Sequence, residues 1–239
     1  MNAHTRCTLP THHTPTMIAN NLKRLINQIS RYEYEAGRQP NSVLLLAVSK
    51  TKPASDIIAA YQAGQRHFGE NYLQEALQKQ RLLGAFDISW HFIGPIQSNK
   101  TKLIAQHFAW VHSVDSFKIA QRLSAQRPDG LPPLNVLIQV NISDETSKSG
   151  IQLAELPELS QRIMELPNLR LRGVMSIPAP EVDYANQCKP FRQLHSAVTA
   201  LNQQAFDTFS YGMSGDLKAA IHEGSTLVRI GTALFGARD

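Results

Sequence analysis

Short apolar stretches alternate along the chain with segments that have helical periodicity. The first apolar run, residues 43–49, is continuous, and Pro53 follows soon after it. A continuous run of this length that is bounded by a proline is typical of a strand buried on both faces. Before it, residues 20–37 carry apolar side chains at helical spacing and predict an N-terminal helix.

Seven more strand candidates follow, and a segment with helical periodicity separates each from the next. The eight strands are predicted at residues 43–49, 67–69, 89–93, 110–113, 134–141, 171–176, 208–211 and 226–230. The helices between them are predicted at residues 55–63, 72–83, 98–106, 116–125, 156–166, 184–204 and 216–222. Strands that alternate with helices indicate parallel βαβ units, and eight units predict a closed (β/α)8 barrel. A doubly wound open sheet is the alternative fold.

The chain of 239 residues is long enough for one such barrel around one core. We predict that residues 1–16 form a flexible extension, because they contain prolines and lack the apolar segment of a signal peptide. A metal-binding arm is the alternative for this segment, which contains three histidines. Residues 17–239 are predicted to form the barrel domain, and Met17 is an alternative start. Only nine residues follow the last predicted strand, so we expect no second domain.

Composition and charge narrow the class of protein. Although 42% of the residues are hydrophobic, no apolar segment is long enough to cross a membrane. The formal net charge is +5, but the basic residues are scattered, which does not favour a nucleic-acid-binding surface. Two cysteines, Cys7 and Cys188, suit a reducing compartment. We therefore expect a cytoplasmic monomer without disulfides and without a metal site.

Lys50 is the candidate reactive residue, because it directly follows the first predicted strand. Barrels carry their active sites at the carboxyl ends of the strands. A dry environment lowers the pKa of an amine from its ordinary value of about 10.4, as a Schiff-base lysine requires. The alternative is a lysine whose side chain simply reaches solvent from the strand end.

The segments that follow strands seven and eight predict a phosphate site. Gly231 allows close approach of the backbone, and Thr232 offers a hydroxyl at the start of a final short helix. Ser214 offers a second hydroxyl from the neighbouring loop. Two ordinary glycine turns with a serine N-cap are the alternative.

Arg229 precedes Gly231 by two residues, so alternation places both on the same side of strand eight. An arginine inside a barrel needs a partner, because burial of an unpaired charge is very costly. The partner is either a ring nitrogen of a ligand or a neighbouring carboxylate, and the pattern alone favours the carboxylate. On strand three, His91 is interpreted mainly as a core histidine.

A lysine, a phosphate site and a buried arginine around one barrel mouth together suggest pyridoxal phosphate. The lysine would hold the aldehyde, the glycine loops the phosphate, and the arginine the pyridine nitrogen. A Schiff-base aldolase that acts on a phosphorylated sugar would share the lysine and the phosphate site.

Several longer segments carry a family resemblance, namely residues 45–53, 68–72, 90–100, 141–150, 172–175 and 224–232. They are similar to those of the YggS/PROSC family, the pyridoxal phosphate homeostasis proteins, in its bacterial branch. The resemblance covers residues 17–239 in order. Gly215 departs from it, because the family often has a larger residue there, and this leaves the geometry of the Ser214 loop open.

The resemblance implies an alanine-racemase-like TIM barrel in which Lys50 holds pyridoxal phosphate as a Schiff base. It implies that Ser214, Gly231 and Thr232 hold the phosphate. It also implies that Arg229 faces the ring nitrogen, and that Asn71 and Met175 lie near the ring. An arginine does not give its proton to the ring nitrogen, so the ring would be a weaker electron sink than with an aspartate partner.

Two functions fit this resemblance. In the first, the protein carries or buffers pyridoxal phosphate without catalysis and hands it to pyridoxal-phosphate-dependent apo-enzymes. In the second, it is an amino-acid racemase, which needs a proton donor on each face of the cofactor. We favour the carrier, because related racemases take the second donor from another domain that is not expected here. A nucleic-acid-binding accessory protein is a third class, suggested only by the net charge.

Overall fold

The computed structural model describes residues 15–143, 149–201 and 206–237, and its strands close into one parallel barrel. The strands are β1 (Leu44–Val48), β2 (His67–Glu70), β3 (Ser89–Phe92), β4 (Trp110–Val114), β5 (Leu134–Val140), β6 (Leu169–Ser176), β7 (Thr208–Ser210) and β8 (Leu227–Ile230). Each strand pairs with its neighbour in the chain, and β8 pairs with β1. The predicted (β/α)8 barrel is confirmed, and the open sheet is excluded.

Helices surround the barrel in the predicted alternation. They are α1 (Pro15–Glu35), α2 (Ala54–Gln62), α3 (Leu73–Leu82), α4 (Thr101–His107), α5 (Phe117–Ala125), α6 (Leu156–Met164), α7 (Tyr184–Ala200), α8 (Leu217–His222) and α9 (Thr232–Phe235). Short 3₁₀ turns, Ser98–Lys100 and Leu153–Glu155, lead into α4 and α6. The end of the predicted helix 184–204 falls partly on residues 202–205, outside the described ranges.

The first helix starts earlier than the apolar pattern predicts. It begins at Pro15, so residues 15 and 16, which we assigned to the extension, are helical. Proline suits the first turn of a helix because its missing N–H would have no partner there. The helix ends before Gly37, whose φ of 66° is the left-handed geometry that commonly terminates helices. Residues 1–14 of the predicted extension lie outside the described residues.

The core lies between the barrel and its helices. One face of α1 buries its apolar side chains at spacings of three and four residues, namely Ile18, Leu22, Leu25 and Ile29. This stripe packs against α2, α8 and α9, and such burial supplies the main stabilisation of an amphipathic helix. In the described part of the chain, none of the helices has the length and apolar character that a membrane crossing requires.

Gly173 in β6 marks an irregularity of the barrel wall. The register between β5 and β6 shifts there, since Val136 pairs with Leu171 and Leu137 with Gly173. Gly173 has a φ of 148°, and a Cβ at this position would lie 2.1 Å from the carbonyl oxygen of Thr208 in β7. Close pairing of β6 with β7 therefore requires glycine here, because any side chain would push the strands apart.

We predict that Gly173→Ala lowers the free energy of unfolding by about 2–4 kcal/mol, from backbone strain together with overpacking. Gly130→Ala is the matched control, because Gly130 also has a positive φ, of 88°, but open space around it. Urea unfolding of both variants measures the difference. An equal loss in the two variants would show that the contact with Thr208 does not matter.

Candidate functional site at the barrel mouth

The structure places the seven predicted site residues at one end of the barrel, where the strands terminate. In chain order they are found after β1 (Lys50), after β2 (Asn71), in β6 (Met175), after β7 (Ser214), in β8 (Arg229) and after β8 (Gly231 and Thr232). All strands are parallel, so their carboxyl ends form a single rim. What these side chains bind remains a prediction at this point.

Lys50 sits in a tight turn that continues from β1. The N–H of Lys52 donates to the carbonyl oxygen of Ser49 at 3.1 Å, which places Lys50 and Thr51 at the centre of the turn. Thr51 has a φ of 62°, a left-handed value that is rare for a β-branched residue. The Ser49 N–H donates to the carbonyl oxygen of Gly69 at 3.0 Å and so extends the β1–β2 ladder. Lys50 itself is half-buried.

Arg229 lies inside the barrel and is 5% exposed. Its Nη1 donates to the carbonyl oxygen of Ser210 at 2.6 Å and to the Ser210 hydroxyl at 2.8 Å. Its Nη2 donates to the carbonyl oxygen of Ser176 at 2.9 Å. Burial lowers the pKa of Arg229 to about 10, and the nearby charge of Asp216 opposes that shift. The guanidinium therefore remains a cation at neutral pH.

The expectation that a carboxylate pairs with Arg229 is wrong for the described residues. Within them, no carboxylate lies within ion-pairing distance of the guanidinium, and the last residues of β6 and β7 supply oxygen acceptors instead. These acceptors bind three of the five N–H groups and carry no negative charge. The sequence did not reveal them, because any residue type offers a backbone carbonyl.

A chain of three histidines extends from Arg229 through the barrel interior. Ser210 Oγ lies 3.0 Å from His112 Nδ1. The other ring nitrogen of His112 lies 2.9 Å from His91 Nδ1, and His91 Nε2 lies 3.0 Å from His67 Nδ1. Arginine only donates hydrogen bonds, so the Ser210 hydroxyl accepts from Arg229 and its own hydrogen is available for His112. The hydrogen bonds then run in one direction, from Ser210 to His112, from His112 to His91 and from His91 to His67. All three rings are neutral in this pattern.

Burial maintains the neutral state of these histidines. It lowers the pKa of His91 and of His112 well below the ordinary value, and the positive Arg229 acts in the same direction on His112. Burial also lowers the pKa of His67. Trp110 stacks on His91 with ring centres 5.4 Å apart.

Among the described residues, no group of three or more His, Cys, Asp or Glu is arranged to hold a metal ion.

His91 is confirmed as a core histidine, whereas the roles of His67 and His112 were missed. A signal was present in the sequence, because three consecutive predicted strands each contain one histidine. Alternation alone did not show that the three side chains face one another, since register between strands is needed for that.

Of the two loops predicted to bind phosphate, the one that contains Gly231 lies beside β1. Gly231 precedes α9, and its carbonyl oxygen accepts hydrogen bonds from the N–H groups of Leu234 and Phe235, both at 2.9 Å. A Cβ at Gly231 would lie 3.3 Å from the carbonyl oxygen of Val48, so the loop approaches the strand that leads to Lys50. Thr232 is exposed at the start of α9, where N–H groups have no partner within the helix.

Ser214 is exposed in a loop with defined internal contacts. The N–H of Met213 donates to Asp216 Oδ1 at 2.6 Å, and Gln187 Nε2 donates to the carbonyl oxygen of Gly215 at 3.2 Å. A Cβ at Gly215 would meet nothing within 4 Å, so the larger residue that the family often has there would fit without a clash.

Asn71 and Met175 complete the predicted set. The Asn71 Oδ1 atom is buried and has no hydrogen-bond partner among the described residues. A buried amide oxygen without a partner is costly, so it suggests that a ligand or water donates to it. The Asn71 backbone is fixed by close packing, since a Cβ at Gly94 would lie 2.1 Å from its carbonyl oxygen. Met175 is buried in β6 and pairs with Ser210 of β7.

Comparisons with known proteins agree with this geometry. The family model for the N-terminal domain of alanine racemase matches residues 21–239. The pyridoxal phosphate homeostasis protein of Escherichia coli K12 is 58% identical over 227 residues, which cover 93% of this chain and 97% of that protein. The chain belongs to this family.

A second relative and a solved structure extend the comparison. The pyridoxal phosphate homeostasis protein of Pseudomonas aeruginosa is 59% identical over 222 residues, covering 93% of this chain and 96% of that protein. The structure of PipY from Synechococcus elongatus PCC7942 with pyridoxal phosphate bound superposes with a TM-score of 0.80 at 37% identity. That superposition covers 92% of this chain and all of PipY. The alanine-racemase-like barrel is therefore confirmed.

The neutral histidine chain predicts that acid destabilises the fold. As pH falls below about 6.5, histidines of the unfolded chain take up protons, whereas His91 and His112 do not. Stability is therefore unaffected by these groups above that pH and declines below it, by up to about 1.4 kcal/mol per pH unit for each histidine. Urea unfolding between pH 7.5 and pH 5 measures this slope.

His112→Gln removes one of these groups, so its unfolding free energy should vary less steeply with pH than that of the wild type. His107→Gln, an exposed position on α4, is the control and should keep the wild-type slope. An unchanged slope in His112→Gln would contradict a neutral buried ring.

Proposed function

We propose that this protein binds pyridoxal phosphate reversibly and thereby carries or buffers the cofactor in the cell. The names of its relatives and the cofactor-bound PipY structure support the proposal. The structural observation that carries it is the junction of β1 with β8, where the turn of Lys50 adjoins the loop of Gly231. Arg229 lies buried in the same strand that leads to that loop.

The described residues fit this cofactor. Arg229 has five N–H groups, and the three contacts to Ser210 and Ser176 leave two without a partner in the described part of the chain. A pyridine nitrogen accepts one hydrogen bond, which such a donor can provide. Asn71 Oδ1 can accept from a ligand hydroxyl. A phosphate at the open rim would meet the hydroxyls of the exposed Ser214 and Thr232.

When bound, pyridoxal phosphate supplies an aldehyde that condenses with a primary amine to a Schiff base, with loss of water. Lys50 provides this amine at the rim. Arg229 would leave the ring nitrogen unprotonated, since a guanidinium gives up its proton far less readily than a pyridinium does. Met175 would lie against the ring from β6. The bond to Lys50 would be open to displacement by another amine, which is the property that a reversible carrier needs.

Covalent attachment is tested by borohydride reduction followed by peptide mass spectrometry. We expect the yellow protein to retain the cofactor mass on Lys50, and Lys50→Ala to be colourless. Lys52→Ala is the matched control, because Lys52 lies two residues away and donates to the carbonyl oxygen of Ala237. If the wild type takes up no added pyridoxal phosphate, the proposed function is wrong.

We further propose that the protein does not turn over amino acids as a racemase. Lys50 can serve as proton donor on one face of the cofactor, and racemisation needs a donor on each face. Incubation with single L-amino acids in heavy water should therefore give no loss of optical purity, even if solvent deuterium enters at the α-carbon from the Lys50 face. Loss of optical purity at a rate that sustains turnover would reassign the protein to the racemases.

Three parts of the sequence-based interpretation stay predictions. They are delivery to pyridoxal-phosphate-dependent apo-enzymes, a monomeric state and a cytoplasmic location. The relatives carry names that refer to homeostasis of the cofactor, which agrees with delivery but names no recipient. Binding of nucleic acid is not part of the proposal.

A further inference from the structure

Thr51, the residue directly after Lys50, is held in an unfavourable backbone conformation. In the described ranges, only Asn41 and Thr51 are non-glycine residues with positive φ, at 60° and 62°. Asparagine tolerates this region, whereas a β-branched threonine is strained there. Such strain persists only when surrounding contacts impose it. The direction of the Lys50 side chain therefore depends on whatever holds Thr51.

Glu75 binds the peptide group between Lys50 and Thr51. Its Oε1 atom accepts a hydrogen bond from the Thr51 N–H at 2.6 Å. Glu75 lies in the first turn of α3, so the contact links the turn to a helix that packs on the barrel. The same oxygen accepts from Lys79 Nζ at 2.5 Å, one helical turn further along.

Lys79 binds the peptide group between Ser49 and Lys50. It is 5% exposed, and its ammonium donates to the carbonyl oxygen of Ser49 at 2.7 Å. It also donates to Glu70 Oε1 at 2.8 Å and to Glu75 Oε1, so all three of its protons are used. Glu70 in turn accepts from the Ser49 hydroxyl at 2.6 Å. Lys50 is thus bracketed by contacts to the residue before it and the residue after it.

Lys79 is the central residue of this buried hydrogen-bond network, because its ammonium lies between two carboxylates. Glu70 is fully buried, and burial raises the pKa of its carboxyl while Lys79 opposes that shift. Without the ammonium, the carboxyl groups of Glu70 and Glu75 would face each other, and the Ser49 carbonyl would keep only the Lys52 N–H as its donor. A buried network that loses one charged member becomes strongly unfavourable and rearranges.

We propose that Lys79, through Glu75 and the Ser49 carbonyl, is the positioning residue that fixes the Lys50 turn for attack on the cofactor aldehyde. The inference rests on the proposed function. It assigns Lys79 no contact with the cofactor. It separates the covalent step, which needs an oriented amine, from recognition of the phosphate and ring by Asn71 and by residues of β6 to β8 and the loops that follow them, none of which Lys79 contacts.

The test compares two ligands on Lys79→Met, which keeps the length of the side chain and removes its charge. Pyridoxal phosphate reports attachment through the rate of its absorbance change, whereas pyridoxine 5′-phosphate has an alcohol in place of the aldehyde and reports recognition alone. We expect attachment to slow by about 10–100-fold, because orientation of the amine is lost. Affinity for pyridoxine 5′-phosphate should stay within about 3-fold of the wild type, since its contacts lie elsewhere.

Two further variants separate positioning from general stability. Glu75→Ala leaves Lys79 in place but removes the acceptor for the Thr51 N–H, so attachment should slow while pyridoxine 5′-phosphate still binds. The double variant Lys79→Met/Thr51→Gly should recover most of the rate, because glycine adopts positive φ without strain. Lys118→Met, an exposed lysine on α5, is the control and should match the wild type.

The inference is supported if attachment slows selectively in Lys79→Met and recovers in the double variant, or, should Lys79→Met not fold, if it slows selectively in Glu75→Ala. It is overturned if attachment keeps its wild-type rate in the variants, if the slow rate of Lys79→Met persists in the double variant, or if binding of both ligands is lost equally in folded protein. Failure of the wild type to attach pyridoxal phosphate would instead contradict the proposed function.

Discussion

The ladder between β1 and β8 is the constraint on which the site depends. It pairs Leu46 with Arg229 and Ala47 with Ile230, residues that lie far apart in the chain. Through this pairing, Gly231 approaches Val48 and the Lys50 turn comes beside the loop that contains Gly231. No local preference of either segment produces that arrangement, because non-local strand pairing forms only when the whole barrel closes. A site divided between the first and the last strand is therefore as cooperative as the fold.

Two of the buried cations, Lys79 and Arg229, have opposite electrostatic surroundings. Lys79 is surrounded by two carboxylates, so its charge is neutralised within the network. Arg229 has carbonyl and hydroxyl acceptors, which satisfy hydrogen bonds but add no negative charge. A buried cation that has no carboxylate within ion-pairing distance attracts acceptors and anions strongly. This difference marks Lys79 as part of the framework and Arg229 as the cation that a ligand can complete.

The sequence predicted the fold more completely than the site. Periodicity identified all eight strands because parallel strands in a barrel are apolar on both faces. It also placed Lys50 and the loop of Gly231 at strand ends, where they are found. It misjudged the partner of Arg229, because backbone carbonyls have no signature in sequence. The contacts of Lys79 were missed for a similar reason: Glu75 and Lys79 have the spacing of an ordinary surface pair, and only tertiary packing buries Lys79.

On the proposed mechanism, the rate of attachment to Lys50 and the affinity for pyridoxal phosphate depend on different residues of the barrel mouth. The amine of Lys50 is carried by a turn that strain and buried charge hold in one geometry, and geometry governs how fast a covalent bond forms or is displaced. The phosphate and ring are proposed to contact other residues, which Lys79 does not touch, and such contacts govern how much cofactor is bound. A buffering protein needs an intermediate affinity together with rapid exchange. Because the two properties depend on separate groups of residues, a substitution in one group can change exchange while the bound fraction stays the same.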